Sequence, residues 1–159
     1  MNQKYLEKAA RIAQKSNCQR AKTGAVIVKG DQVLAVAFNQ IFPQNDFCLR
    51  KGCLRDKLKL GLGKEAEKCR SLHAEAGAVA LAAKKGFSLQ DAAAYVTCQP
   101  CINCAKLLYS AGVKRVFFLD RHADQTGKLF LKKMGVVCQQ VELKGDNPKD
   151  RLRDIRGQQ

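Results

Sequence analysis

Four side chains have the types and spacing of a metal centre that activates water: His73 and Glu75 in His73-Ala74-Glu75, and Cys101 and Cys104 in Pro100-Cys101-Ile102-Asn103-Cys104. One imidazole and two thiolates leave one tetrahedral corner open, the arrangement of a catalytic zinc. Water at that corner becomes a nucleophile near neutral pH. Glu75, two residues past the histidine, can stand beside that water and move its protons without ligating the metal. A C-x-x-C pair alone has other uses, as a redox dithiol or as half of a structural site. A closed zinc site recruiting a further cysteine such as Cys98 is the competing arrangement, but it leaves Glu75 without a task.

Both fragments open predicted helices, where free N–H groups and the helix dipole favour thiolates. Ser71 is the expected cap of a helix that runs through HAEAGAVALAAKKG and stops at Gly86. Pro100 sits at the start of a second, which runs to Gly112. Around them, residues 24–29, 33–38, 92–98, 113–119 and 136–143 read as strands, and 127–134 as a short helix. The break Gly30-Asp31-Gln32 signals a hairpin between the first two strands. An amphipathic helix precedes them, with Leu6, Ala9, Ala10, Ile12 and Ala13 on one face. Strands alternating with helices after residue 71 predict βαβ units in an α/β/α layered domain.

The 159 residues carry 46% apolar side chains, enough for a core without disulfide staples. The longest apolar runs, near 24–28 and 76–83, fall far short of the ~20 residues a bilayer needs, so no membrane partner is expected. The N-terminal stretch has no apolar signal core, and the expected compartment is the cytoplasm. A net charge of +15 predicts attraction to phosphate-bearing molecules, nucleotide or nucleic acid, and does not choose between them. Residues 40–70 form a long excursion rich in basic residues with little periodicity, and a loop of that length is usually functional or held by something. The expected domain is 1–143, followed by a polar tail, 144–159.

H-x-E followed by P-C-x-x-C is the signature of zinc deaminases. The chain resembles one family that carries it, the deoxycytidylate (dCMP) deaminases of the cytidine deaminase-like superfamily. The resemblance spans about residues 5–141 and rests on SNCQRAKTGAVIV, CRSLHAEAGAVALAA, YVTCQPCINCAKLL and AGVKRVFF, in that order. It implies a three-layer α/β/α fold with a central mixed five-stranded sheet. It implies zinc on His73, Cys101 and Cys104, with Glu75 as general acid/base. Asn39 would contact the sugar, and the backbone of Thr23, Gly24 and Ala25 would line the base pocket. The implied reaction converts dCMP to dUMP and ammonia in a homo-oligomer with a small nucleotide as substrate. The chain departs from the family at Gln40, where glycine is usual, at Gly77, where asparagine is usual, and at Phe118, where tyrosine is common.

Cys18, Cys48, Cys53 and Cys69 lie outside the catalytic pattern. They are candidate ligands of a second, structural zinc that would pin the excursion, with small buried residues as the alternative. Cys98 and Cys138 fall on apolar strands and are expected in the core. His122 follows the fourth strand and is either a substrate contact or surface. Three functional readings stay open: a dCMP deaminase, a deaminase of another base, nucleoside or single-stranded nucleic acid, and a non-catalytic zinc module that binds nucleic acid.

Overall fold

Successive strand residues face two different cores, and this alternation builds the layers. A computed structural model of the protein describes residues 3–42, 47–61 and 64–143. The hairpin β1 (Gly24–Lys29) and β2 (Gln32–Phe38) turns at Gly30, whose φ of +58° suits glycine. β3 (Ala93–Cys98), β4 (Arg115–Asp120) and β5 (Val137–Gln140) complete one sheet in the order β2-β1-β3-β4-β5. β1 runs antiparallel to β2 and β3, whereas β3, β4 and β5 are parallel. The mixed five-stranded sheet and α/β class agree with the expectation.

On one face, α1 (Gln3–Ala13) sets Tyr5, Leu6 and Ala9 against Val26, Val28, Tyr95 and Phe117. On the other, α4 (Ala74–Lys84), α5 (Ile102–Ser110) and α6 (Thr126–Lys133) pack over Ile27, Val96, Val116 and Phe118. Adjacent residues such as Tyr95 and Val96 therefore belong to opposite cores, as the two-residue strand period requires. The tight contacts are made by glycines. A Cβ on Gly24 would lie 2.1 Å from the Ala9 carbonyl oxygen, so only glycine lets α1 approach the start of β1 this closely.

The excursion is not structureless. It carries α2 (Phe47–Lys51), α3 (Leu54–Lys57) and a single 3-10 turn at Ala66–Lys68. A bridge from Gln40 to Leu72 closes its base. None of these pieces reaches two full helical turns, so none carries a readable period in its sequence. The expected cap Ser71 is a correction: α4 begins at Ala74 with His73 as its N-cap, and Ser71 Oγ lies 3.2 Å from Cys69 Sγ instead. Pro43 and the tail 144–159 lie outside the described residues. No helix among the described residues is long and apolar enough to cross a membrane.

Candidate metal centre and active-site cavity

The carboxyl ends of β2, β3 and β4 and the start of β1 share one edge of the sheet, because β1 is antiparallel to its neighbours. Ligands of open α/β sheets bind at that edge. Here it holds a cavity of about 180 Å³ with His73, Glu75 and Cys101 in its wall. His73 and Cys101 are the N-caps of α4 and α5, both in extended backbone (φ −70°, ψ 149° and φ −67°, ψ 169°). Neither spends its side chain on capping the helix. Cys104, one turn into α5, is buried beside Cys101.

His73 Nδ1 lies 3.6 Å from Cys101 Sγ and 3.5 Å from Cys104 Sγ. A tetrahedral zinc with bonds of about 2.0 Å to nitrogen and 2.3 Å to sulfur has a nitrogen–sulfur edge of about 3.6 Å. The donor set therefore fits zinc. It is the one group of three such donors within 4.8 Å of each other among the described residues.

The protons of the set are unevenly held. The Cys104 S–H hydrogen-bonds Cys101 and, against burial and with help from His73, brings the Cys101 thiol down to about 3. The same bond and its own burial hold Cys104 far above the ordinary thiol range. Hydrogen bonds to Cys101 and Cys69 push His73 up to about 11. Burial raises the Glu75 carboxyl, with His73 opposing. A buried carboxyl that resists ionisation suits a group that both takes and returns a proton.

Thr23, Gly24 and Asn39 line the cavity, but Ala25 does not. It is fully buried in β1 between Ala37 and Val96, which corrects its expected place beside a base. Asn39 braces the wall: its Oδ1 accepts from the Thr23 N–H at 2.7 Å and its Nδ2 donates to the Ala21 carbonyl at 2.8 Å. The Gly24 N–H donates to Thr97 Oγ1 at 3.0 Å. Gly77 is turned away from the cavity; a Cβ there would meet Ala37 and Leu72. Cys98, expected in the core, ends β3 in the cavity wall, and burial keeps it a thiol by pushing it up to about 12. Cys138 is in the core as expected. His122 does line the cavity. The sequence reading missed Arg20, Lys22 and Arg55, which also line it. Their only signal was the basic bias of two loops, which says nothing of direction.

Cys18, Cys48, Cys53 and Cys69 all border a second, smaller cavity of about 20 Å³ next to the first. All four are free thiols, and no three of their sulfurs lie within 4.8 Å of one another. Convergence is present without a closed ligand shell. Burial alone would raise Cys69, but hydrogen bonds with His73 and Ser71 bring it down to about 6.

Residues 1–120 match the family described as the cytidine and deoxycytidylate deaminase zinc-binding region. ComE operon protein 2 of Bacillus subtilis is 29% identical over 143 residues, covering 89% of this chain and 71% of that protein. The deoxycytidylate deaminase of Schizosaccharomyces pombe is 31% identical over 137 residues; the match covers 86% of this chain and only 42% of that protein. The dCMP deaminase of cyanophage S-TIM5, crystallised with dCMP and dUMP, aligns with a TM-score of 0.69 at 27% identity, covering 87% of this chain and 95% of that one. With a metal corner of matching donors in place, zinc is the cofactor, and the chain belongs to the cytidine and deoxycytidylate deaminase family.

Proposed function

We propose that the protein deaminates dCMP hydrolytically to dUMP and ammonia. The observation that carries this reading is a buried Glu75 in the wall of the same cavity as His73 and Cys101. His73, Cys101 and Cys104 would hold the zinc. When bound, the metal supplies Lewis-acid activation of a water molecule for attack on the ring carbon that bears the amine. Glu75 takes a proton from that water and passes it to the adjacent ring nitrogen, then takes the remaining proton of the added hydroxyl, as the carbonyl forms, and gives it to the departing amine. Thr23 and Asn39 brace each other at the rim: the Thr23 N–H donates to Asn39 Oδ1 and the Asn39 N–H donates to the Thr23 carbonyl. A contact from Asn39 to the sugar remains part of the proposal.

Ammonia release from dCMP, CMP, deoxycytidine, guanine and a cytosine-containing oligonucleotide tests the reading. Turnover of dCMP ahead of the others is expected; turnover of the oligonucleotide without dCMP overturns it. We also propose that Cys18, Cys48, Cys53 and Cys69 take up a second zinc that draws the excursion together. Two zinc ions per purified chain would support this, and one per chain would sink it. Exposed Tyr109, Leu129 and Val137, on α5, α6 and the edge strand β5, support self-association into a homo-oligomer. Eight free thiols fit a reducing compartment such as the cytoplasm.

A further inference from the structure

The three helices over the larger core start at the cavity edge of the sheet and end at the opposite one. α4 and α5 carry metal ligands at their N-caps, and α6 follows the cavity end of β4. Their last turns gather where β3, β4 and β5 begin, roughly 16 Å along the axis for the 11-residue α4. α4 and its C-cap bring Lys84 and Lys85 to this far edge, and α6 brings Lys132 and Lys133. Between them Lys114 and Arg115 lead into β4. The Lys114 N–H donates to the Ala92 carbonyl and the Val137 N–H to the Lys114 carbonyl, both at 3.0 Å, so these segments lie side by side. All of these cations are exposed, and among the described residues none is in an ion pair. The acid of the loop into β3, Asp91, is bonded instead by Gln90 Nε2 at 3.1 Å.

A helix C-terminus favours a cation, which accounts for the lysines that end α4 and α6. It does not account for Lys114 and Arg115, which stand at the start of a strand. Cations gathered along one edge repel one another, and a polyanion relieves that repulsion. Strands lie about 4.8 Å apart, so the charges spread over a row that a chain of phosphates can follow and a single small anion cannot. Phe87, two residues past Lys85, adds an aromatic ring that is 38% exposed. Cations that track a backbone beside an open aromatic face are the elements of sequence-independent single-strand binding. We propose that this far edge binds single-stranded nucleic acid, with Lys114, Arg115, Lys132 and Lys133 on phosphates and Phe87 stacked on a base. The edge lies at the other end of the strands from the metal corner, so the bound strand is a partner and not a substrate. The inference therefore does not depend on the deaminase reading.

Fluorescence anisotropy of the full chain with a labelled oligothymidylate of about 15 nucleotides tests the site, since a strand without cytosine offers the metal corner nothing to deaminate. Binding should weaken with salt, log K falling by about 0.7 per phosphate contacted for each decade of salt. The double variant Lys132→Ala, Lys133→Ala should reduce that slope by about 1.4 and weaken binding about tenfold at low salt. Phe87→Ala should weaken binding roughly 5- to 150-fold, the worth of one stacked base, and Phe87→Trp should restore it. Lys57→Ala with Lys59→Ala, exposed on the excursion, should leave binding intact, and saturating dCMP should not displace the strand. Zinc content and far-UV circular dichroism confirm intact protein, and if Phe87→Ala does not fold, the lysine variants decide. Equal binding by the wild type and the Lys132→Ala, Lys133→Ala variant overturns the site. So does loss of binding in the excursion variant, displacement by dCMP, or tighter binding of a duplex. Absence of binding at about 50 mM salt also overturns it, as does binding of phosphatidylserine vesicles in place of the oligonucleotide.

Discussion

The two cysteine-bearing regions meet at one cavity and are built on opposite terms. The metal corner stands on the first turns of α4 and α5, helices pressed into the larger core through Ala74, Ala78, Ala105 and Leu108. Its backbone is so closely packed that a Cβ on Gly127 of α6 would lie 2.2 Å from the Pro100 carbonyl oxygen. The excursion has helices of only five and four residues and leaves Phe42, Leu49 and Leu58 exposed. It is held by side chains reaching backbone: Asn17 to Ile41, Arg20 to Leu60, and Arg55 to Gly61 and Lys64. A site that must hold three atoms to a fraction of an ångström draws on a core, whereas the excursion is organised by side-chain hydrogen bonds to backbone. The second kind opens locally at lower cost.

Glu75→Gln should separate the regions most sharply. Turnover should fall about 10²- to 10⁴-fold, the worth of a positioned proton carrier, with metal content unchanged by elemental analysis. Full activity in that variant would remove Glu75 from the chemistry. Cys104→Ala should next cost the protein its corner metal and its activity together, whereas Cys48→Ala should lose only the second zinc proposed for the excursion and leave the corner loaded. Metal counts per chain for the two variants read this directly.

Proton release sharpens the contrast further. His73, pushed up to about 11, holds a proton at neutral pH, Cys104 keeps its own, and Cys101, down at about 3, has already lost one. Zinc entering the corner should therefore displace two protons, and its affinity should fall as pH is lowered. Calorimetry in buffers of different ionisation enthalpy counts them; a release of none would contradict the proton distribution. Gly127→Ala, which forces a Cβ onto the Pro100–Cys101 backbone, should cost roughly 1–3 kcal/mol in denaturant unfolding. At the small end, removing the exposed Lys68–Glu65 pair of the excursion should leave Tm unchanged within error.

Apolar patterning marks the strands of the sheet and α1, whereas α4 and α5 are legible from composition and from the Pro and Gly at their ends, Gly86, Pro100 and Gly112. The sequence reading misplaced the α4 cap, since Ser71 and His73 both precede an alanine-rich run and only packing decides which one leaves the helix axis. It assigned Cys98 to the core because an apolar strand gives no sign of where its last residue meets a cavity. Ala25 was misjudged for the same reason, one residue inside the rim. The short helices of the excursion have too few turns to show a period.

Residue order along the chain was enough for the metal chemistry: the ligand types, the acid/base partner and the helix starts that carry them are all local properties of short runs. Direction was not local. That Asn39 turns inward to brace a loop, that Gly77 faces β2, and that Arg20 and Arg55 line the same cavity as the zinc ligands all depend on contacts between segments far apart in the chain. Those contacts are settled by how the antiparallel hairpin lies beside the parallel strands, which no single stretch of residues encodes.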